Sequence, residues 1–209
     1  MSDVIEQRTD EWRAQRAGRL TASRFGDVIS LTKAGKPTAA RDKYMREIVF
    51  ERLASTAKHS VDGHALRWGT EVESFAKEAF ELETGMIVMQ AEFQQHSDYA
   101  FIGASPDGLI NGDGGYESKC PMDEAVHINT LLHGMPEEHI PQVQGCMMVT
   151  GRKYWMFVSY DPRVSERFRL YHERVERDDD YINGVLLPCL LQFNAEVEQM
   201  IAELNRRVA

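Results

Sequence analysis

Three side chains in the stretch GASPDGLINGDGGYESKC, residues 103–120, are of the types that hold hard cations and move protons: Asp107, Glu117 and Lys119. Alternate side chains of a strand share a face, so in Y-E-S-K-C Glu117 and Lys119 project together while Ser118 points to the other side. Asp107 lies across a Gly/Asp/Asn-rich turn from them, and a hairpin there brings its carboxylate beside that of Glu117. Two carboxylates held so close repel each other unless one takes a proton or a cation sits between them. Oxygen donors without His or Cys favour Mg²⁺ or Mn²⁺, and Mg²⁺ keeps several waters and binds together with substrate phosphates. Lys119, on the same face, can orient or help deprotonate an attacking water and offset charge developing on phosphorus. The spacing D-x(9)-E-x-K alone is equally that of a surface hairpin with an ordinary Glu/Lys pair. Its context favours a site: SPDG contains the first acid, apolar residues surround ESK, and a further acid, Glu73, lies in WGTEVE.

The elements that must position these groups fall into a helical part, a sheet part and a helical tail. Thr9 is a good N-cap, with Glu11 in the first turn and Trp12 as an apolar anchor, so a short helix is expected there, and a second is expected to begin at LTAS. AARDKYMREIVFERLA (39–54) has Tyr44, Ile48, Val49 and Leu53 at helical spacing, and HALRWGTEVESFAKEAFELETG is a further helix closed by Gly85. From Met86 the period changes to that of strands in IVMQAEFQQ, YAFIGAS, GLI, YESKC, KYWMFVSYD and RFRLYHERVE. Helices are expected at 123–133 and 137–149, and a last one, interrupted near Pro188, begins at Asp178–Asp180. The expected architecture is α+β, a mixed central sheet flanked by helices. It is read as a single domain over 1–209, with a helical part at about 1–85, a sheet core at about 86–175 and a C-terminal helix at about 178–206.

With 209 residues and 43% hydrophobic content the chain is long enough to bury a proper core. Its apolar runs are far too short to cross a bilayer, and MSDVIEQRTD lacks a basic-then-apolar leader pattern, so a soluble, cytoplasmic protein is expected. Cys120, Cys146 and Cys189 are odd in number and never form CxxC, which argues against a disulfide framework or a zinc knuckle. A net charge of −9 argues against a generic nucleic-acid coat, yet basic residues crowd the first fifty positions. Among these, Arg16 and Ser23 lie across a helix-to-helix junction, where a guanidinium and a hydroxyl near a helix start make a reasonable phosphate receptor. A solvated arginine is the plainer alternative.

Five segments in order, WRAQRAGRLTAS (12–23), LRWGTEVE (66–73), SPDG (105–108), ESK (117–119) and PQVQGCMMVT (141–150), resemble the PD-(D/E)XK nucleases, and within them the lambda-exonuclease or YqaJ-type viral recombinase branch. The resemblance implies a restriction-endonuclease-like core and metal ligation by Asp107, Glu117, the Ser118 carbonyl and Glu73. It makes Lys119 the residue that positions the water and places Gln142, in preference to Gln144, near the active site. It further implies a pocket of Arg16, Ser23 and Ser105 for a 5′-terminal phosphate, and an apolar wedge at Leu66 that splays the duplex end. Gln144 is kept as a DNA-binding candidate, and Lys33 and Arg41 are weaker candidates for DNA-backbone contacts. The implied activity is Mg²⁺-dependent 5′-to-3′ exonucleolysis of double-stranded DNA in phage or prophage recombination, with two ions, Mn²⁺ as substitute, a homotrimeric ring and a single-strand annealing protein as partner. An endonuclease on the same core, of structure-specific or restriction type, and a non-catalytic DNA-end-binding module are the competing expectations.

Overall fold

The computed structural model describes residues 7–57 and 63–208, the side chains of residues 65 and 66 excepted. Helix α1 (Asp10–Arg16) is capped by the Thr9 hydroxyl, which accepts the Trp12 amide hydrogen, as its sequence predicts. Next come β1 (Leu20–Thr21), a 3₁₀ turn at Ala22–Arg24, α2 (Phe25–Ile29), α3 (Ala39–Ala54) and α4 (His64–Thr84). The expected helix start at LTAS is instead a strand followed by a turn. The Leu20 amide donates to the Phe101 carbonyl, and Leu20 and Thr21 pair in parallel with Ile102 and Gly103, a long-range partnership that local sequence does not announce.

The strands β2 (Val88–Met89), β3 (Gln94–Gln95), β4 (Ile102–Ala104), β5 (Gly108–Ile110), β6 (Gly114–Lys119), β7 (Tyr154–Tyr160) and β8 (Leu170–Glu176) build two sheets, not one. Five strands run in the order β2-β5-β6-β7-β8, with β6 and β7 parallel and the other pairs antiparallel. The order β1-β4-β3 forms the small second sheet. IVMQAEFQQ, expected as one strand, is therefore divided: Val88–Met89 joins the larger sheet and Gln94–Gln95 the smaller.

Every residue of β7 is buried, because helices cover both sides of the sheet. Tyr154, Met156 and Val158 pack with Phe80 of α4, whereas Trp155 belongs to the core built with Val143 and Met147 of α6 (Ile140–Thr150). Since β6 pairs in register with β7, Tyr116 and Ser118 inherit the α4 side, and Gly115, Glu117 and Lys119 the α6 side. A Cβ on Gly115 would stand 2.1 Å from the Trp155 ring, so a larger residue there would force that buried ring to shift. At the far end of the β5–β6 hairpin, Arg152 Nη1 donates to the carbonyls of Asn111 (2.8 Å) and Gly114 (2.7 Å).

Helix α5 (Glu124–His133) precedes α6, and a short turn α7 (Asp179–Tyr181) leads through a π-helical turn at Ile182–Leu186 into α8 (Leu187–Val208). The interruption expected near Pro188 is that π turn. Pro188 has no N–H to offer the carbonyl one turn earlier, and the wider turn absorbs the defect. Leu190, Phe193 and Val197 of α8 are buried in the same core as Tyr44 and Ile48 of α3, and the Phe193 and Tyr44 rings stack at 5.7 Å.

Candidate active site

Asp107 immediately precedes β5, and the β5–β6 register, with Gly108 opposite Tyr116, carries it to the level of Glu117. Its Oδ2 accepts the Ser118 amide hydrogen at 2.9 Å. Glu117 is 3% exposed, and its two oxygens differ. Oε1 accepts from Lys119 Nζ at 2.7 Å and from the Gln142 amide nitrogen of α6, while Oε2 is buried with no hydrogen-bond partner. Lys119 Nζ also donates to Gln142 Oε1 at 3.0 Å, closing a triangle of acid, ammonium and amide.

Electrostatics follow from this crowding. Burial, then the neighbouring Glu117 charge, hold the Asp107 carboxyl well above its ordinary range, and Glu73 adds to the effect. Burial alone would pull the Lys119 ammonium down, but the charges of Glu117 and Asp107 and the hydrogen bond to Glu117 outweigh it and leave its pKa raised. Lys119 is thus a proton-bearing donor in this setting, which favours orienting a water over deprotonating it. His139, stacked on Phe157 at 5.4 Å, is pushed down to about 4 by burial and by the Lys119 charge, so it stands neutral beside the site.

A buried carboxylate oxygen without a donor, next to a carboxyl that resists ionising, is what a divalent cation would relieve. No group of three or more His, Cys, Asp or Glu side chains among the described residues forms a cage by itself. The donor set present fits an ion that keeps waters and takes further oxygens from a substrate, with Asp107, Glu117 and the Ser118 carbonyl as the protein's share. Glu73 reaches the same place from α4: it lines, with Asp107, Tyr116 and Ser118, a cleft of about 230 Å³. Arg8 grips both Glu73 oxygens there, at 2.7 and 2.9 Å.

Arg16, Ser23 and Ser105 are brought together as the sequence suggests. Arg16 donates to the hydroxyls of Ser105 (2.7 Å), Thr21 (3.2 Å) and Ser23 (3.3 Å), and its guanidinium lies 4.2 Å from the centre of the Trp12 ring. The Trp12 indole N–H donates to Ser105 as well, at 3.1 Å. Helix α1 supplies Arg16 and Trp12, β1 and the turn after it supply Thr21 and Ser23, and the end of β4 supplies Ser105. The small sheet is what brings these side chains together.

Two assignments need correcting. Arg41 is buried, donating to the Val28 carbonyl at 3.0 Å and in bidentate fashion to Glu196 of α8 at 2.8 and 3.1 Å, so its guanidinium is spent inside the protein and is not offered to a DNA backbone. Gln144 is 4% exposed, donates to the Glu176 carbonyl and accepts the Asp178 amide hydrogen, both at 2.9 Å. It ties α6 to the end of β8, on the face of α6 away from Gln142. Lys33 is exposed in the turn bridged by Leu31 and Pro37. Leu66 belongs to α4, but its side chain lies outside the described residues.

Sequence alone does not single out Gln7, Arg8, Thr21 or the polar role of Trp12. Gln7 donates to the Pro106 carbonyl at 2.7 Å, which pins the segment before α1 beside Asp107. Gln7 and Arg8 directly ahead of the Thr9 cap are the available signal, but nothing local reveals that they reach Pro106 and Glu73.

Residues 11–153 match the family model described as the YqaJ-like viral recombinase domain. The chain belongs to this family. Among solved structures, an alkaline exonuclease (LHK-Exo) from Laribacter hongkongensis is similar at 39% identity over 96% of this chain and 98% of that one, with a TM-score of 0.86. The same protein in complex with dAMP gives 0.87 at the same identity and coverage. A phage related exonuclease from Haemophilus somnus 129PT shares the fold at 16% identity, over 89% of this chain and 96% of that one, with a TM-score of 0.68. None of the curated proteins compared matches the chain. The mixed sheet with helices on its faces is the PD-(D/E)XK-like fold of this YqaJ-type family. No helix among the described residues is long and apolar enough to cross a membrane.

Proposed function

We propose that the protein is a DNA exonuclease that degrades the 5′-ended strand of a duplex to mononucleotides and leaves a 3′ single strand for annealing. One observation carries this reading: the hydroxyl of Ser105, held in the Arg16 pocket, lies two residues from Asp107 in the acidic centre. Two residues span at most about 7 Å, which is the distance from one backbone phosphate to the next. A terminal 5′-phosphate gripped by Arg16, Ser23 and Ser105 therefore sets the following phosphodiester against Asp107, Glu117 and Lys119. Ends are cut, and cut one nucleotide at a time.

Mg²⁺, with Mn²⁺ as substitute and two ions in the full site, would be held by Asp107, Glu117, the Ser118 carbonyl and Glu73, and supplies Lewis acidity toward the phosphate and an acidified water. Lys119 orients the attacking water by donation and stabilises charge gathering on the phosphate oxygens. Gln142 fixes Lys119 and Glu117 relative to each other. The LHK-Exo complex with dAMP, at 39% identity, supports a mononucleotide as the product class. Exposed Phe75, Leu82 and Ile87 on and after α4 are compatible with burial against further copies, and a homotrimeric ring around DNA would hold the duplex despite the chain's net charge of −9. An annealing protein is the proposed recipient of the 3′ strand.

The test is a time course on linear duplex labelled at the 5′ or the 3′ end, with and without Mg²⁺, beside a closed circle. Early release of 5′ label as mononucleotide from the linear duplex alone is expected. Cutting of the circle would indicate an endonuclease, and end binding without Mg²⁺-dependent hydrolysis a binding module.

A further inference from the structure

Arg8 is a charged side chain at the acidic centre for which the reaction outlined above has no use. Its guanidinium takes both oxygens of Glu73, at 2.7 and 2.9 Å, in the cleft that Asp107 and Ser118 also line. The pair is about a third exposed on each side, so it opens to solvent and to a ligand. Its backbone sits at φ +71°, in the left-handed region that costs a non-glycine residue energy and persists only where neighbours hold it. The neighbours here are the Gln7 bond to the Pro106 carbonyl on one side and the Thr9 cap of α1 on the other. The chain is therefore bent out of its ordinary conformation at the residue that reaches Glu73.

One guanidinium nitrogen, Nη2, donates to both Glu73 oxygens, so the carboxylate is partly neutralised and the guanidinium charge beside it competes with a divalent cation for it. A guanidinium fork, in turn, fits a phosphate as well as it fits a carboxylate. We infer that Arg8 is an exchange residue: it holds Glu73 until a DNA phosphate enters the cleft, then moves to the phosphate and frees Glu73 for the metal, so that DNA loading and metal recruitment assist each other. The inference rests on the metal-dependent reading of this site. Arg8 acts on the metal through Glu73 and on the DNA as a phosphate contact. By linkage, whatever factor DNA adds to metal affinity through this exchange, metal adds to DNA affinity.

Mn²⁺ binding followed by electron paramagnetic resonance tests it. Without DNA, Arg8→Ala is expected to bind Mn²⁺ about two- to fivefold more tightly than the parent, the range for a partly exposed ion pair. In a Lys119→Ala background, which prevents turnover, a 5′-phosphorylated duplex should raise Mn²⁺ affinity more in the Arg8 protein than in the Arg8→Ala protein, by that same factor. Arg8→Lys, which keeps the charge and loses the planar guanidinium, should fall between, and it serves if the alanine variant melts early. The salt slope of duplex binding should drop by about one in Arg8→Ala. Equal Mn²⁺ affinities in parent and variants, or equal gains from DNA, would overturn the exchange and leave the metal site standing. No Mn²⁺ binding by the parent would overturn both.

Discussion

Replacing Asp107 with asparagine keeps an acceptor for the Ser118 amide and removes one charge from a buried acidic pair. Burial and Glu117 raise the Asp107 pKa, so the folded protein binds more protons than the unfolded chain between the ordinary carboxylate range and the raised value. Without metal, stability must then fall as pH climbs through that window, with the loss complete above the folded pKa. Asp107→Asn removes this loss. Relief of a strained functional site is typically worth about 0.5–2 kcal/mol, and for a chain of this size each kcal/mol moves Tm by about 2–4 °C. In EDTA at pH 8 the variant should melt about 1–8 °C above the parent, with a flatter pH profile. In Mg²⁺ at a hundred times its dissociation constant the parent should gain about 2.7 kcal/mol, and the variant close to nothing. Thermal melts from pH 5 to 9, with EDTA or Mg²⁺, read both effects. A variant that melts below the parent in EDTA at every pH and still gains stability from Mg²⁺ would refute the account of the acidic pair.

Arg16→Ala should lose about ten- to a hundredfold of the preference for 5′-phosphorylated over 5′-hydroxyl ends, the worth of a charge-assisted hydrogen bond, in a competition between labelled duplexes; an equal loss on both ends would reject the pocket. Lys119→Ala should retain end binding while hydrolysis falls at least a hundredfold, and cleavage within a few fold of the parent would remove its water-positioning role. Arg41→Met should cost about 1–3 kcal/mol in urea denaturation by stranding Glu196, yet leave the salt dependence of DNA binding unchanged, and a shallower slope would restore Arg41 to the DNA interface. Gly115→Ala should cost about 1–3 kcal/mol by overpacking against Trp155, and a neutral result would show that the ring can move aside.

Much of the acidic centre is legible in the sequence, because it rests on local rules. The two-residue period of YESKC puts Glu117 and Lys119 on one face, and the glycine-rich turn places Asp107 opposite them. The Thr9 cap and the Pro188 interruption are equally plain. What local rules miss depends on partners distant in sequence. Leu20–Thr21 is a strand because β4 is there to pair with, and IVMQAEFQQ splits because its two ends find different sheets. Arg41 and Gln144 look like surface residues in sequence. Only the packing of α8 and the end of β8 shows that each is needed within. Arg8 gives no sign of its contact because its partner, Glu73, lies far along the chain on α4.

The grip of Arg152 on the Asn111 and Gly114 carbonyls lies at the end of the hairpin away from the acids. Sliding β6 by a single residue against its neighbours would turn Glu117 and Lys119 toward α4 and present Ser118 in their place. The alignment of the acidic centre thus leans on an arginine bound at the opposite end of the hairpin, much as a sight at the far end of a barrel governs the aim. Sequence change at that remote loop can silence the chemistry while leaving every reactive group intact.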